Sequence, residues 1–353
     1  MQRNMDMTPI KSMDRLLEQP PVLDEDWVLA LQNELEAFDP EQVTLCDVHL
    51  RQYYAHYGFT CLPDEVEYSA GTEWIVGTRL FLQYFRRRFA RGTVVLMHGY
   101  TDHSGMYSGL IDHLLRRGWN VLTYDLPGHG LSAGEPLGIN GFDQYVRQLQ
   151  QVLNNYTPLF KGPVVMMGQS TGAAIILTLL IQSDREQKRR WALAGSVFLA
   201  PLIRPVDYYY IRSVYKTMHW CLRRVRRRFS SNSHDADFLH FRESRDPLQH
   251  RYMAISWIGS MLKWVADIEK VGPCSDRLMV IQGTDDKTVN WRYNVAVLDQ
   301  LCPAAELRLV RDARHQLVNE SDEYRDKVFA HIDEFLGSCR TYKAAPSAAV
   351  IRR

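Results

Sequence analysis

The sequence predicts an α/β fold: a mostly parallel central sheet flanked by helices, with a helical segment inserted late in the chain. Three observations carry this. Between residues 93 and 199, continuous apolar runs alternate with helical periodicity through short links, as expected of strands whose two faces are covered by crossover helices. From Pro201 to about Val271 the alternation stops, and it returns at Arg277. Finally, Val164-Val165-Met166-Met167-Gly168-Gln169-Ser170-Thr171-Gly172 reads as strand, sharp turn and helix.

Taken in order, residues 1–64 form an acidic, helical N-terminal extension expected to pack on the outside of the main domain. Residues 1–50 hold eleven Asp and Glu against Arg3, Lys11 and Arg15. Residues up to 20 look loose, and Pro20-Pro21 punctuates them. Asp24 is placed to cap a helix over 24–37, and Leu50, Tyr53, Tyr54 and Tyr57 suit a second over 47–57. The first core part spans 65–200. Val66–Tyr68 and Trp74–Val76 read as short strands around a turn at Gly71, and Leu80–Phe85 as a longer strand. Arg86–Gly92 reads as a solvated hairpin tip. Thr93–Met97, Asn120–Tyr124, Val164–Met167 and Leu193–Leu199 follow as strands, separated by helical patterns at 106–115, after Gly141 and at 173–180.

Residues 201–271 read as a helical lid. Ile211, Val214, Tyr215, Met218, Leu222, Val225 and Phe229 recur at three- and four-residue steps, which predicts one long helix. A polar loop from Ser230 to Asp237 leads to a second helix holding Met253, Trp257, Ile258, Met261, Leu262 and Val265. The second core part, 272–340, has strands at 277–282 and 306–310 and helices at 291–300 and 322–336. A flexible tail is expected over 341–353.

Composition excludes several function classes. The net charge of +1 gives no global case for nucleic acid, and no groove-reading motif is present. The six cysteines lack metal-like spacing, so no metal and no cofactor are expected. No secretory leader or membrane-spanning run is apparent. The expected location is the cytoplasm, with peripheral contact at a membrane surface. Oligomeric state is left open.

Chemistry gathers at the strand ends. A G-x-S-x-G motif between strand and helix is a nucleophile elbow, here with Ser170 between Gly168 and Gly172. Lacking Cβ atoms, the two glycines let strand and helix approach. The helix N-terminus then points free N–H groups to where negative charge develops. A serine hydroxyl needs an imidazole to take its proton and a carboxylate behind that imidazole. His315 follows the last strand, and Asp285 or Asp286 the strand before it, in the required order Ser, acid, His. Asp312 is expected to trim the His315 loop. Oxyanion donors are assigned to the backbone N–H groups of Tyr100 and Thr171. His98, with Gly99, opens a glycine turn and is read as shaping the loop; His103 and His129 get the same structural role.

The chain resembles the α/β-hydrolase superfamily. Within it, it is similar to the lysophospholipase and monoacylglycerol lipase group, also labelled serine aminopeptidase family S33. The matching pieces are HGYTDHSGMY at 98–107, YDLPGHGLS at 124–132, GQSTG at 168–172, QGTDD at 282–286 and RDARH at 311–315, with a weaker RDPL at 245–248. This resemblance implies Ser170, Asp286 and His315 as the triad and the Tyr100 and Thr171 amides as the oxyanion hole. Gln169 and Thr171 depart from the group, which often has histidine and methionine there, and are expected to reshape the pocket floor.

The expected activity is cleavage of a lipid carboxylic ester, a lysophospholipid or monoacylglycerol, through an acyl-enzyme on Ser170. Ile211, Met218, Leu222, Trp257 and Met261 would line an apolar acyl pocket. Arg223, Arg224, Arg226, Arg227 and Arg228 would lie near it, able to attract an anionic membrane. An aminopeptidase would instead need a carboxylate for the free amine, supplied by Asp235 or Asp237. A small-ester carboxylesterase and a non-catalytic ligand-binding scaffold complete the alternatives.

Overall fold

The computed structural model describes residues 23–44, 48–59 and 66–339. The loose start, with Pro20-Pro21, and the tail over 341–353 lie outside these residues. Eight strands form one sheet: β1 (Val66–Ile75), β2 (Thr78–Arg87), β3 (Thr93–Met97), β4 (Asn120–Tyr124), β5 (Val164–Gln169), β6 (Leu193–Leu199), β9 (Leu278–Gly283) and β10 (Glu306–Val310). Two three-residue strands, β7 (Arg224–Arg226) and β8 (Tyr252–Ala254), pair separately within the inserted segment. The main sheet runs in the order β1-β2-β4-β3-β5-β6-β9-β10. β1, β2 and β4 pair antiparallel, and every other pairing is parallel. This is the mostly parallel, helix-flanked sheet that the alternating pattern predicts, in the arrangement that the α/β-hydrolase resemblance implies.

The strands alternate their side chains between two cores. Val164 and Met166 of β5 face one cluster, and Val165 and Met167 the other. The first cluster is covered by α4 (Phe142–Tyr156), α5 (Thr171–Gln182), α9 (Ile255–Ile268) and α10 (Trp291–Leu301). The second is covered by α1 (Glu25–Glu34), α2 (Val48–His56), α3 (Ser108–Arg116) and α11 (Asp322–Cys339). A sheet buried on both faces explains why its central strands read as continuous apolar runs. α6 (Arg185–Arg190) buries no residue.

Asp24 caps α1 by accepting the Trp27 N–H at 2.9 Å. The N-terminal segment is more deeply built in than an outside extension. Trp27, Leu31, Leu50, Tyr53, Tyr54 and Phe59 are buried against Tyr68, Phe81 and Phe85.

Three local expectations fail, each for a physical reason. Gly71 is not a turn: Val66–Ile75 is one strand, and the hairpin to β2 turns at Val76-Gly77, both with positive φ. Gly71 instead lets residues 36–38 cross closely, since a Cβ there would lie 2.8 Å from Glu36 O and the Phe38 backbone. The basic stretch at 86–92 is not a hairpin tip, because β2 pairs with β1 and β4 and never with β3. Arg86 pairs with Glu67 at 3.2 Å, and Arg87 donates to Leu115 O at 2.8 Å.

The long helix predicted through Phe229 stops early. α7 covers Tyr208–Met218, and Val225 lies in β7. Consecutive Arg223 and Arg224, then three more arginines from 226, oppose a continued helix by like-charge crowding. The polar loop ends in α8 (Ala236–His240), capped by Asp235, followed by a five-residue π-turn, Phe241–Arg245.

Gly71→Ala forces backbone against backbone and is expected to destabilise the fold by about 1–3 kcal/mol. A urea-unfolding midpoint equal to wild type would show that the crossing chain has room to move.

Candidate active site

The parallel pairings align Met97, Gly168, Phe198 and Val280, so the carboxyl ends of β3, β5, β6 and β9 share one edge. At that edge β5 turns into α5 through Ser170, whose backbone has φ 53° and ψ −111°. This is a sparsely populated conformation for a residue with a Cβ, held at a cost of about 1–3 kcal/mol. The flanking glycines make it reachable. A Cβ on Gly168 would stand 2.5 Å from the Gly172 carbonyl carbon, and one on Gly172 would stand 2.4 Å from Met97 O. Thr171 opens α5, so its N–H is among the free donors of the helix start.

His315 lies in the loop after β10, and its Nδ1 meets Asp286 Oδ2 at 2.7 Å, both side chains being buried. Asp286 also accepts from the Thr288 and Val289 backbone N–H groups and from Gln282 Nε2. Burial opposes its charge, but His315 and these donors outweigh that and lower its pKa. Burial likewise opposes protonation of His315, and the Asp286 carboxylate overcomes it, so the His315 pKa is raised. The adjacent carboxylate, Asp285, pairs instead with Lys287 at 2.9 Å and with Arg314 at 3.5 Å. Asp312 is an exposed turn residue whose N–H donates to Thr284 Oγ1.

The histidines of the earlier loops are held by hydrogen bonds. His98 accepts the Leu126 N–H at Nε2 and donates from Nδ1 to Gly99 O, each at 2.8 Å. Gly99 N–H donates to Tyr107 Oη at 3.1 Å. His129 contacts Pro127 O through Nδ1. His103 Nε2 lies 2.9 Å from Asp246 Oδ2, and Tyr57 Oη donates to Asp246 Oδ1 at 2.6 Å. This buried cluster fastens the inserted segment to both the β3 loop and the N-terminal helices. Tyr100 stacks its ring on Trp257 at 3.6 Å and donates its hydroxyl to Leu137 O.

Ser170, Thr171, Tyr100 and His315 border one cavity of about 570 Å³, together with Ile211, Met218, Leu222, Trp257 and Met261. All five residues predicted for an acyl pocket thus line it. Arg226, Arg227 and Arg228 also line it, whereas Arg223, Arg224, Asp235 and Asp237 do not. Among the described residues, no cluster of His, Cys, Asp and Glu could hold a metal.

Gln169 corrects another expectation. It is buried and absent from the cavity wall. Its Nε2 donates to Gln316 Oε1 at 2.9 Å, and Gln316 Nε2 donates to both Asp102 oxygens at 3.0 and 3.1 Å. Tyr107 Oη also donates to Asp102. One amide–carboxylate chain therefore ties the β5 end, the His315 loop and the β3 loop together. The sequence reading missed Gln316 and Asp102, although both stand in strand-end loops, next to His315 and four residues after His98.

These features define an α/β-hydrolase with a serine at the elbow. The family model described as "Serine aminopeptidase, S33" matches residues 89–322, and the chain belongs to that family. It is similar to a monoglyceride lipase homolog of Monkeypox virus, 24% identical over 70% of this chain and 90% of that one. It is also similar to the monoglyceride lipase of Saccharomyces cerevisiae, 25% identical over 72% of this chain and 88% of that one. The crystal structure of a soluble variant of the yeast enzyme with a substrate analog superposes with a TM-score of 0.66, at 20% identity, covering 77% of this chain and 95% of that chain.

Gln316→Leu leaves buried Asp102 Oδ1 without a donor and Gln169 Nε2 with only the His315 carbonyl at 3.4 Å. A loss of about 1–3 kcal/mol is expected, read from chemical denaturation. An unchanged midpoint would mean that the network adds no stability.

Proposed function

We propose that this protein is a serine hydrolase of lipid carboxylic esters, acting on a lysophospholipid or a monoacylglycerol. The observation that carries the reading is the elbow serine and the Asp286-paired His315 bordering one largely apolar cavity. Its volume suits a small-molecule ligand. Ser170 Oγ attacks the ester carbonyl while His315 takes the hydroxyl proton. Asp286 fixes the imidazole and stabilises its cation. The Tyr100 and Thr171 N–H groups receive the oxyanion. His315 returns the proton to the departing alkoxide, leaving the acyl group on Ser170. Water, deprotonated by His315, then releases the fatty acid.

Residues 201–271 act as a lid in this reading. Tyr209, Tyr210 and Trp220 are exposed, and Tyr210 lines the cavity together with Arg226 and Arg228. Aromatic side chains among arginines suit peripheral contact with an anionic membrane. The similarity to monoglyceride lipases favours a lipid ester over a peptide, and so does the cavity. A free amine would meet Arg227 and Arg242, while Asp102 is already held by Gln316 and Tyr107, and Asp207 is open to solvent.

Ser170→Ala is expected to fold normally and to lower fatty-acid release from 1-monoacylglycerol and lysophosphatidylcholine by about 10⁴-fold or more. Turnover equal to wild type would remove Ser170 from the mechanism.

The base must be neutral to work. Because the His315 pKa is raised, the acid limb of kcat/KM is expected above the ordinary histidine value of 6.5. A limb at or below 6.5 would mean that Asp286 does not govern the base.

A further inference from the structure

We propose that the His315 end of the cavity is an anion site built by the guanidinium groups of Arg242 and Arg227, which takes the phosphate of a lysophospholipid head group. The proposal rests on the ester-hydrolase reading of the same cavity and narrows its substrate.

Arg242 is 2% exposed and borders the cavity from the π-turn at Phe241–Arg245. Its Nη1 donates to Asn232 Oδ1 at 2.5 Å and its Nη2 to Ser230 O at 2.8 Å. Its Nε is buried without any partner. Arg227 donates to Gln249 Oε1 at 2.6 Å. The two guanidinium carbons lie 4.5 Å (Arg227) and 5.7 Å (Arg242) from the ring centre of Phe229, so both cations border one aromatic side chain. Among the described residues, neither forms an ion pair with a carboxylate. Arginine stays charged, and a buried charge is retained at a cost unless something compensates it. Burial, then the neighbouring Arg242 charge, pushes the Arg227 pKa down to about 10, against the pull of Asp102. Burial lowers Arg242 as well. Asp102 cannot close on them as a partner, since Gln316 and Tyr107 occupy it.

The position fits the direction of the reaction. His315 must protonate the departing alkoxide, so the head group lies on its side of the ester. The Gln316 N–H, next to His315, donates to Asn232 O, and Asn232 Oδ1 accepts from Arg242. Arg242 is therefore anchored to the loop that carries His315, and Arg227 shares the Phe229 ring with it. The acyl chain takes the other direction, along Ile211, Met218 and Met261. A phosphate presents several acceptors to two forked donors, the match for which arginine is suited. A neutral glycerol head group would leave both guanidinium groups without a directly paired anion.

The test compares 1-octanoyl lysophosphatidic acid with 1-octanoylglycerol, both kept below aggregation so that membrane adsorption plays no part. Wild type is expected to favour the phosphate ester in kcat/KM. Arg242→Gln and Arg227→Gln are each expected to reduce that preference at least tenfold, with R242K keeping part of it. Should R242Q prove unfolded by near-UV circular dichroism, R227Q decides. The same ratio in wild type and R227Q, or a wild-type preference for the neutral ester, overturns the proposal. Calorimetric titration of wild type with inorganic phosphate gives a readout independent of turnover. If no ester is cleaved, the hydrolase reading fails, and phosphate binding that is lost in R227Q still supports the anion site. Phosphate binding without preference for the phosphate ester assigns the site to free phosphate and overturns the head-group assignment.

Discussion

The backbone of Ser170 is the constraint on which the rest of this structure depends. A strand that reverses into a helix within one residue needs that residue in a strained conformation and the helix start pressed onto the neighbouring strand. Gly172 against Met97 O permits the second condition, and Gly168 against Gly172 the first. The strain is retained because the helix that follows is buried on all sides, from Thr171 through Leu180. Local misfit and global burial are one arrangement: a more solvated α5 could relax, and the serine would no longer project over the strand ends.

The second structural theme is the polar scaffold behind the cavity wall. Side-chain amides and one carboxylate join three loops that have no sequence continuity with one another. Such a chain is costly when one member is missing and rigid when all are present. The result is a fixed relation between the serine, the histidine and the loop proposed to supply the second oxyanion donor. The wall in front of it is mostly built from apolar side chains of the inserted segment, which pack without directional bonds, with the hydrogen-bonded Arg227 and Arg242 as the polar part. A hydrogen-bonded scaffold and a mostly apolar wall are thus divided between two parts of the chain.

Much of this was legible in the sequence. Ser170 and His315 follow strands with clear apolar periodicity, so their placement at one sheet edge could be derived. The choice between Asp285 and Asp286 could not, since adjacent turn residues differ only in which neighbours they meet: Lys287 and Arg314 for one, His315 for the other. Gly71 misled because a glycine inside a strand and a glycine in a turn look alike without the crossing segment at 36–38. The stripe beyond Met218 misled because hydrophobic spacing does not register five arginines crowding the next turns. Gln169, Gln316 and Arg242 carry no periodic signal at all. The amide positions arise from contacts between residues 147 and 214 apart, and that of Arg242 from a short loop whose shape is set by what it packs against.

The cluster of Tyr57, His103 and Asp246 has a consequence for what counts as a unit in this chain. The family match runs from residue 89 to 322, yet Tyr57 lies before it and binds a carboxylate inside it. β1, β2 and most of α11 also fall outside that span. Inherited resemblance and cooperative folding therefore have different borders here. A piece cut at the family limits would expose the edge of β4, uncover the aromatic core beneath α1 and α2, and leave Asp246 buried without one of its donors. The N-terminal helices, which resemble an appendage when the chain is read linearly, pack into the same core as the sheet edge that carries Ser170.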